Sequence, residues 1–308
     1  MKIVFFGTSI VGAPILTALH EAGHEILEVV TSPDALVGRK QILTPSAISD
    51  RANELKLKIS KPEKVKNNAE FIQHLKELNA DIFIVVSYGK ILPLELIDIP
   101  PLKTINVHFS LLPKYRGAAP IQYALLNGET TTGTTIFILD ELVDHGDIIA
   151  QGAIDIEPTD TFLTLAEKLS YLSAHILIDL LPVYADNGIE PRTQIHDEAT
   201  STKLIKKEDG FVDFTAKTAQ EIYNMWRAFA LWPGIYTKCS PVESEPEKQL
   251  KILECRVVAQ DEPRDPANRA IIPCAKDTYL ELMSVQLEGK KPTKMDDFLR
   301  GYKDFKLS

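Results

Sequence analysis

The stretch MKIVFFGTSIVGAPILTALHEAGHEILEVVT, residues 1–31, decides the fold class. Residues 2–6 (KIVFF) form a short apolar run, the pattern of a strand buried on both faces. Gly7 ends it. From Ala13 to Ala22 (APILTALHEA) the apolar residues return at helical spacing, and residues 25–31 (EILEVVT) read as a second strand. Working outward, the alternation continues. Residues 81–88 (DIFIVVSY), 103–109 and 134–139 (TTIFIL) read as strands, with a helix over 68–79. A longer helix is expected from Phe162 to Tyr184, with Asp160 or Thr161 as its cap. Strand and helix in alternation over this length predict an α/β fold, a mostly parallel sheet with helices on both faces.

After Tyr184 the pattern decays. Residues 185–210 (ADNGIEPRTQIHDEATSTKLIKKEDG) are polar, with Pro and Gly, and read as a linker. A helix over Ala219–Ala230 and short strand-like pieces at 235–238, 249–258, 269–273 and 279–286 follow, which predicts a small β-barrel. The expected division is a catalytic domain over 1–189, a linker over 190–205 and a C-terminal domain over 206–308.

The 308 residues suit two domains, and 44% hydrophobic with 25% charged residues is an ordinary globular balance. No apolar run approaches the roughly 20 residues of a membrane helix. MKIVFFG superficially looks like a secretory signal, but Gly7 and Thr8 follow only four apolar residues and no small-residue cleavage site precedes Glu21. It reads as the buried first strand of a cytoplasmic protein. Three widely spaced cysteines, Cys239, Cys255 and Cys274, make neither a disulfide framework nor a zinc site, and no metal is expected. The net charge of −9 argues mildly against a nucleic-acid partner. It is unevenly spread: residues 205–308 hold 17 basic and 17 acidic residues, and the whole deficit lies before them.

The Gly7–Gly12 turn (GTSIVG) lacks the middle glycine of a dinucleotide fingerprint. Three other features carry chemistry. In Asn106-Val107-His108 the two polar residues are two apart and project from one face of a strand. Their place is a strand's carboxyl end, where open α/β sheets bind ligands. Next comes SLLPKYRGAAPIQ (110–122), an irregular loop with Pro113, Gly117 and Pro120. Last is DELVDHGD (140–147), four acidic residues around a His and a Gly. His is the side chain best matched to proton transfer near neutrality. Asn offers an N–H to an oxygen that gains charge, and a carboxylate orients the His. No Ser or Cys stands by in a nucleophile-elbow setting, so the pattern fits direct acyl-type transfer to an external nucleophile. It also fits a satisfied loop histidine beside an acidic turn.

INVHFSLLPKYRGAAPIQ (105–122) resembles the central signature of the 10-formyltetrahydrofolate-dependent formyltransferases. VVTSPDALVGRKQILTPSAI (29–48), VVSYGKILP (85–93), KKEDGFVDF (206–214), WRAFALWPGIYT (226–237) and LEGKKPTKMDDFLRGY (287–302) resemble the methionyl-tRNA formyltransferase family over nearly the full chain. The resemblance implies a Rossmann-like domain followed by an OB-like barrel that binds tRNA, a monomer, and 10-formyltetrahydrofolate as co-substrate for formylating methionyl initiator tRNA. It implies Asn106, His108 and Asp144 as the catalytic set. It places Ser110, Leu111, Leu112, Pro113, Val86, Tyr88, Gly89, Ile91, Leu139 and Asp140 at the folate. It sets Arg39 and Lys40, in a loop over 32–46, at the acceptor end of the tRNA. Lys203, Lys206, Lys207, Arg227 and Lys290, with Lys291 and Arg300, are the further tRNA-contact candidates.

The chain departs from the family at the acidic loop. Where the family has D-x-G-L-D-T-G, Asp140 to Gly146 reads DELVDHG. Leu142 removes a glycine's freedom at positive φ, and His145 puts a second titratable group beside the site. Two rival readings remain open at this level. One is a formyltransferase of a small amine, such as a sugar nucleotide or glycinamide ribonucleotide, which needs neither the 32–46 loop nor the barrel. The other is a non-catalytic folate- or RNA-binding module, which needs no joint Asn106, His108 and Asp144.

Overall fold

The computed structural model describes residues 1–308 apart from 39–40, 242–245, 263–267, 304 and 308. The chain folds as two compact units. The first comprises Met1–Pro120, Thr131–Asp155 and Ala166–Lys203, and the second comprises Ile121–Thr130, Ile156–Leu165 and Leu204–Ser308.

The first unit is built on seven strands: β1 (Lys2–Gly7), β2 (Glu25–Val30), β3 (Ile59–Ser60), β4 (Ile82–Val86), β5 (Thr104–His108), β6 (Thr131–Ile138) and β7 (Ile148–Asp155). They lie in the order β7-β6-β5-β4-β1-β2-β3. Pairing is parallel from β3 through to β5, and only β6 runs against its neighbours. This is the mostly parallel sheet that the alternation predicts, and the Rossmann-like domain that the resemblance implies. The central strands β1 and β4 are buried on both faces beyond Lys2, which is why they read as unbroken apolar runs.

Both faces are covered. Val4, Phe6, Phe83 and Val85 pack with Phe71 and Leu75 of the helix Ala69–Glu77, whose N-terminus Asn68 caps by accepting from Phe71 N at 3.1 Å. On the other face Phe5 and Ile48 both close on Gly7 and Gly12, so the helices Ala13–Glu21 and Ala47–Glu54 lie there. The long helix Phe162–Ala185 crosses β6 and β7, with Ser173 Oγ donating to Thr134 Oγ1 at 2.8 Å and Ile176 against Gly152.

Two elements differ from the sequence expectation. The sequence pattern gives no strand at β7: Ala150, Gln151 and Gly152 break its apolar run, and as an edge strand it needs only one buried face. The segment expected as a linker is fastened to the first unit as far as Lys203, through pairing of Ser201 and Thr202 with Arg116 and Gly117.

In the second unit, β8 (Ile235–Ser240), β9 (Lys248–Val258), β10 (Ile271–Cys274), β11 (Thr278–Leu287), β12 (Thr293–Lys294) and β13 (Lys306–Leu307) form an antiparallel sheet. Its order is β10-β11-β9-β8-β13, with β12 paired to β11. Register shifts within 252–255 bend β9, and the sheet curls as a half-barrel with two open edges. The helix Ala219–Ala228 opens on a capping box between Thr218 and Glu221, and Trp226 Nε1 donates to Leu253 O at 2.8 Å. No helix among the described residues is long and apolar enough to cross a membrane.

Candidate active site

Strand β5 sets the site. Its register puts Asn106 between Val85 of β4 and Phe137 of β6, and His108 beside Thr135. The two polar side chains share a face by strand alternation. His108 is buried and Asn106 half-buried. His108 Nε2 lies 2.9 Å from Tyr115 O. A carbonyl only accepts, so this nitrogen carries a proton. Nδ1 is 3.5 Å from Asp144 Oδ2, and that oxygen accepts from Gly117 N at 2.7 Å. The Asn106 amide has no hydrogen-bond partner among the described residues. A half-buried amide without a protein partner can donate to an oxygen of a ligand.

Topology makes the approach of Asp144 non-trivial. Because β6 is antiparallel to β5, Ile138 lies beside Ile105. The loop that follows must therefore fold back along β5 to bring Asp144 to His108. Two non-glycine residues that shape this approach sit at positive φ, Tyr115 at 60° and Asp144 at 50°, a pattern that recurs at functional sites. The sequence points to position 142 as the one that loses a glycine's freedom at positive φ. The left-handed residue is instead Asp144, and Leu142 is simply exposed.

His145, the second titratable group of this loop, is half-buried. Its Nδ1 is 2.6 Å from Asp140 Oδ2, and its ring stacks on His196, with centroids 4.1 Å apart and planes 3° from parallel.

The folate candidates divide by burial. Ser110 is fully buried, and its hydroxyl donates to Lys114 O at 2.6 Å, so it braces the loop. Leu112 is buried with its N–H on Thr135 Oγ1 at 3.0 Å and its carbonyl on Gln151 Nε2 at 2.9 Å. Val86 and Tyr88 are buried as well. Burial pushes the Tyr88 phenol up to about 12, and its hydroxyl has no partner among the described residues. Gly89 and Ile91 are exposed, while Leu111, Pro113, Leu139 and Asp140 are half-buried. Lys90, which no sequence signal singles out, ties this loop down by donating to Pro62 O at 2.6 Å and Glu63 O at 2.9 Å.

Of the basic candidates, Lys203, Lys206, Lys207 and Lys290 are exposed, and Arg39 and Lys40 lie outside the described residues. Arg227 is a correction: it is buried, and its guanidinium donates to Asp160 O at 2.6 Å and Glu157 O at 3.1 Å. Its place on the inner side of an amphipathic helix explains why it is spent on capping a neighbouring turn. Arg300 is paired with Asp297. Among the described residues no group of three or more His, Cys, Asp or Glu is arranged to hold a metal ion.

Other residues of the site carry no local signal. Thr135, Gln151, Gln194, His196 and Thr200 brace the 110–119 loop and the acidic turn from up to 85 positions away. Only Arg116, inside the signature, is within reach of sequence reading.

The formyl transferase family model matches residues 1–181, and the formyl transferase C-terminal domain model matches residues 204–303. A methionyl-tRNA formyltransferase of Koribacter versatilis is 42% identical over 307 residues, spanning 98% of this chain and 96% of that protein. One from Bacillus subtilis is 37% identical over 307 residues, spanning 97% and 94%. Among solved structures, a sugar 3N-formyl transferase determined with dTDP and 5-N-formyl-THF superposes with a TM-score of 0.63 at 22% identity, over 94% of this chain and 99% of that one. At that identity the likeness is one of fold.

Proposed function

This chain belongs to the methionyl-tRNA formyltransferase family, and from that premise we propose that it moves a formyl group from 10-formyltetrahydrofolate to the amine of methionyl initiator tRNA. The observation that carries the reading is the Asn106 amide, without a hydrogen-bond partner among the described residues and on the same strand face as His108, which Asp144 approaches to 3.5 Å.

10-Formyltetrahydrofolate supplies the formyl group and leaves as tetrahydrofolate. The chain's own residues do the rest. Asn106 donates its N–H to the formyl oxygen as that oxygen gains charge. His108, with Nε2–H held on Tyr115 O, turns the Nδ1 lone pair to the proton that leaves the attacking amine. Asp144, anchored by Gly117 N, stabilises the imidazolium so formed, which gives the proton on to N10 of the departing folate as the N10–formyl bond breaks. The folate is held by the backbones around Val86–Ile91, Ser110–Pro113 and Leu139–Asp140, whose buried side chains fix those backbones in place. The tRNA is held by exposed lysines, Lys203, Lys206, Lys207 and Lys290, and by Arg39 and Lys40. The protein works in the cytoplasm as a monomer.

Incubation with formyltetrahydrofolate and charged initiator tRNA is expected to give N-formylmethionine on the tRNA. A folded protein that leaves the tRNA unformylated but formylates an amino-sugar nucleotide or glycinamide ribonucleotide would overturn the assignment of substrate. One that formylates none of these is a binding module.

A further inference from the structure

The polar segment before Lys203 ends its hydrogen bonds on the turn that bears Asp144. Gln194 is only 5% exposed. Its Nε2 donates to Asp144 O at 3.1 Å and to Gly146 O at 2.8 Å. Its Oε1 accepts from Arg116 Nε at 3.2 Å and Nη2 at 2.6 Å. Both N–H donors and both acceptor sites of the amide are thus in use. A buried amide satisfied on all sides is costly to disturb, since each lost partner leaves a polar atom bare.

What Gln194 holds is an unusual backbone. Asp144 has φ of 50°, in the left-handed region that L-residues seldom enter. In an extended or right-handed conformation its carboxylate would turn away from Gly117 N and His108 Nδ1. The next residue is gripped from the other side. His145 bonds Asp140 and stacks on His196, and His196 Nδ1 accepts from Arg116 Nη2 at 2.9 Å. Arg116 therefore orients both Gln194 and His196, and the turn 144–146 is fixed at every residue.

We propose that Gln194, oriented by Arg116, is a positioning residue for formyl transfer: it keeps Asp144 left-handed, so that the carboxylate stays against His108. The inference rests on the reading of Asn106, His108 and Asp144 as the catalytic set. Gln194 itself touches no reacting atom.

Gln194→Glu keeps the acceptors that face Arg116 and removes both donors to the turn, while Gln194→Ala removes everything. For each, kcat is expected to fall about 10- to 100-fold, with KM for folate and tRNA within about twofold of wild type. In an Asp144→Ala background the same change is expected to add no further loss, because its effect runs through Asp144. The amide NMR signal of Gly117, donor to Asp144, should move in Gln194→Glu as it moves in Asp144→Ala, a readout that needs no turnover. Equal losses of kcat in both backgrounds, or a Gly117 signal left at its wild-type position, would overturn the proposal. If Gln194→Ala does not fold, Gln194→Glu and the Gly117 signal still decide. A wild-type protein that forms no formylmethionyl-tRNA, with Gly117 responding as expected, sinks the functional reading and leaves the positioning role standing. Turnover with an unresponsive Gly117 does the reverse.

Discussion

Asn106 and Glu28 are both polar groups set in an apolar sheet, and they differ in what satisfies them. Asn106 has no partner among the described residues, which is the ground for proposing that its amide serves a ligand. Asn106→Asp replaces that donor with an acceptor-only anion. Transfer is expected to fall at least about 100-fold in kcat, the cost of one lost donor to a developing charge. Near-wild-type turnover would remove Asn106 from the reaction. Glu28, fully buried on β2, is instead surrounded: Lys58 Nζ lies 2.8 Å from Oε2, His74 Nε2 2.9 Å away, and the Ser60 hydroxyl donates to Oε1. Burial is the largest single influence and pushes its carboxyl up. The hydrogen bonds from Lys58, Ser60 and His74, with the charge of His74, outweigh it, and the net shift is downward. A carboxyl lower in the folded than in the unfolded state adds stability that is complete above the unfolded value of about 4.3. That stability is lost as pH falls through the folded value. Glu28→Gln removes this component. Urea midpoints of the two proteins are expected to differ most at pH 7 and to converge as pH falls through the folded value. A gap constant across that range would assign the loss to packing alone.

At the scale of elements, the turn 139–147 is where geometry is tightest. A Cβ placed on Gly146 would run into the Ile138 carbonyl oxygen, a backbone atom that cannot step aside without moving β6. Gly146→Ala is therefore expected to cost about 1–3 kcal/mol in chemical denaturation, and to lower kcat with it as Asp144 shifts. A variant as stable and active as wild type would mean that the turn relaxes freely. The same turn marks how far the sequence can be read. β1, β4 and β5 are legible because a strand buried on both faces must be apolar throughout, and Asn106 and His108 stand out against Ile105 and Val107 for that reason. β7 is not, since Ala150, Gln151 and Gly152 carry no period and its pairing with β6 is a tertiary choice. Nor is the hold of Gln194 on Asp144 and Gly146, about fifty positions away in the chain. Local pattern predicts which residues face one way. It holds no information on which distant polar group will satisfy a strained turn.

At the scale of the whole chain, charge sets the terms on which a polyanion is met. With 34 basic against 43 acidic residues, the net field repels tRNA, and attraction must come from local clusters. Lys206 and Lys207 are adjacent and exposed, Lys203 stands just before them, and Lys290 and Lys291 are exposed in the turn after β11. Arg227 and Arg300 are already engaged within the protein. Binding that rests on a few lysines releases few counterions, so KM for tRNA should rise with salt on a shallow logarithmic slope. Changing Lys206 and Lys207 together to Glu is expected to raise KM for tRNA. The salt slope should also shrink, by about one for each phosphate that is no longer neutralised. KM for formyltetrahydrofolate should hold, because the folate loops belong to the first unit and these lysines to the second. The fold should hold too, since both side chains are exposed. An unchanged tRNA KM and slope in the double variant would exclude this pair from the tRNA surface and move the attraction to Lys203, Lys290 and the 32–46 loop.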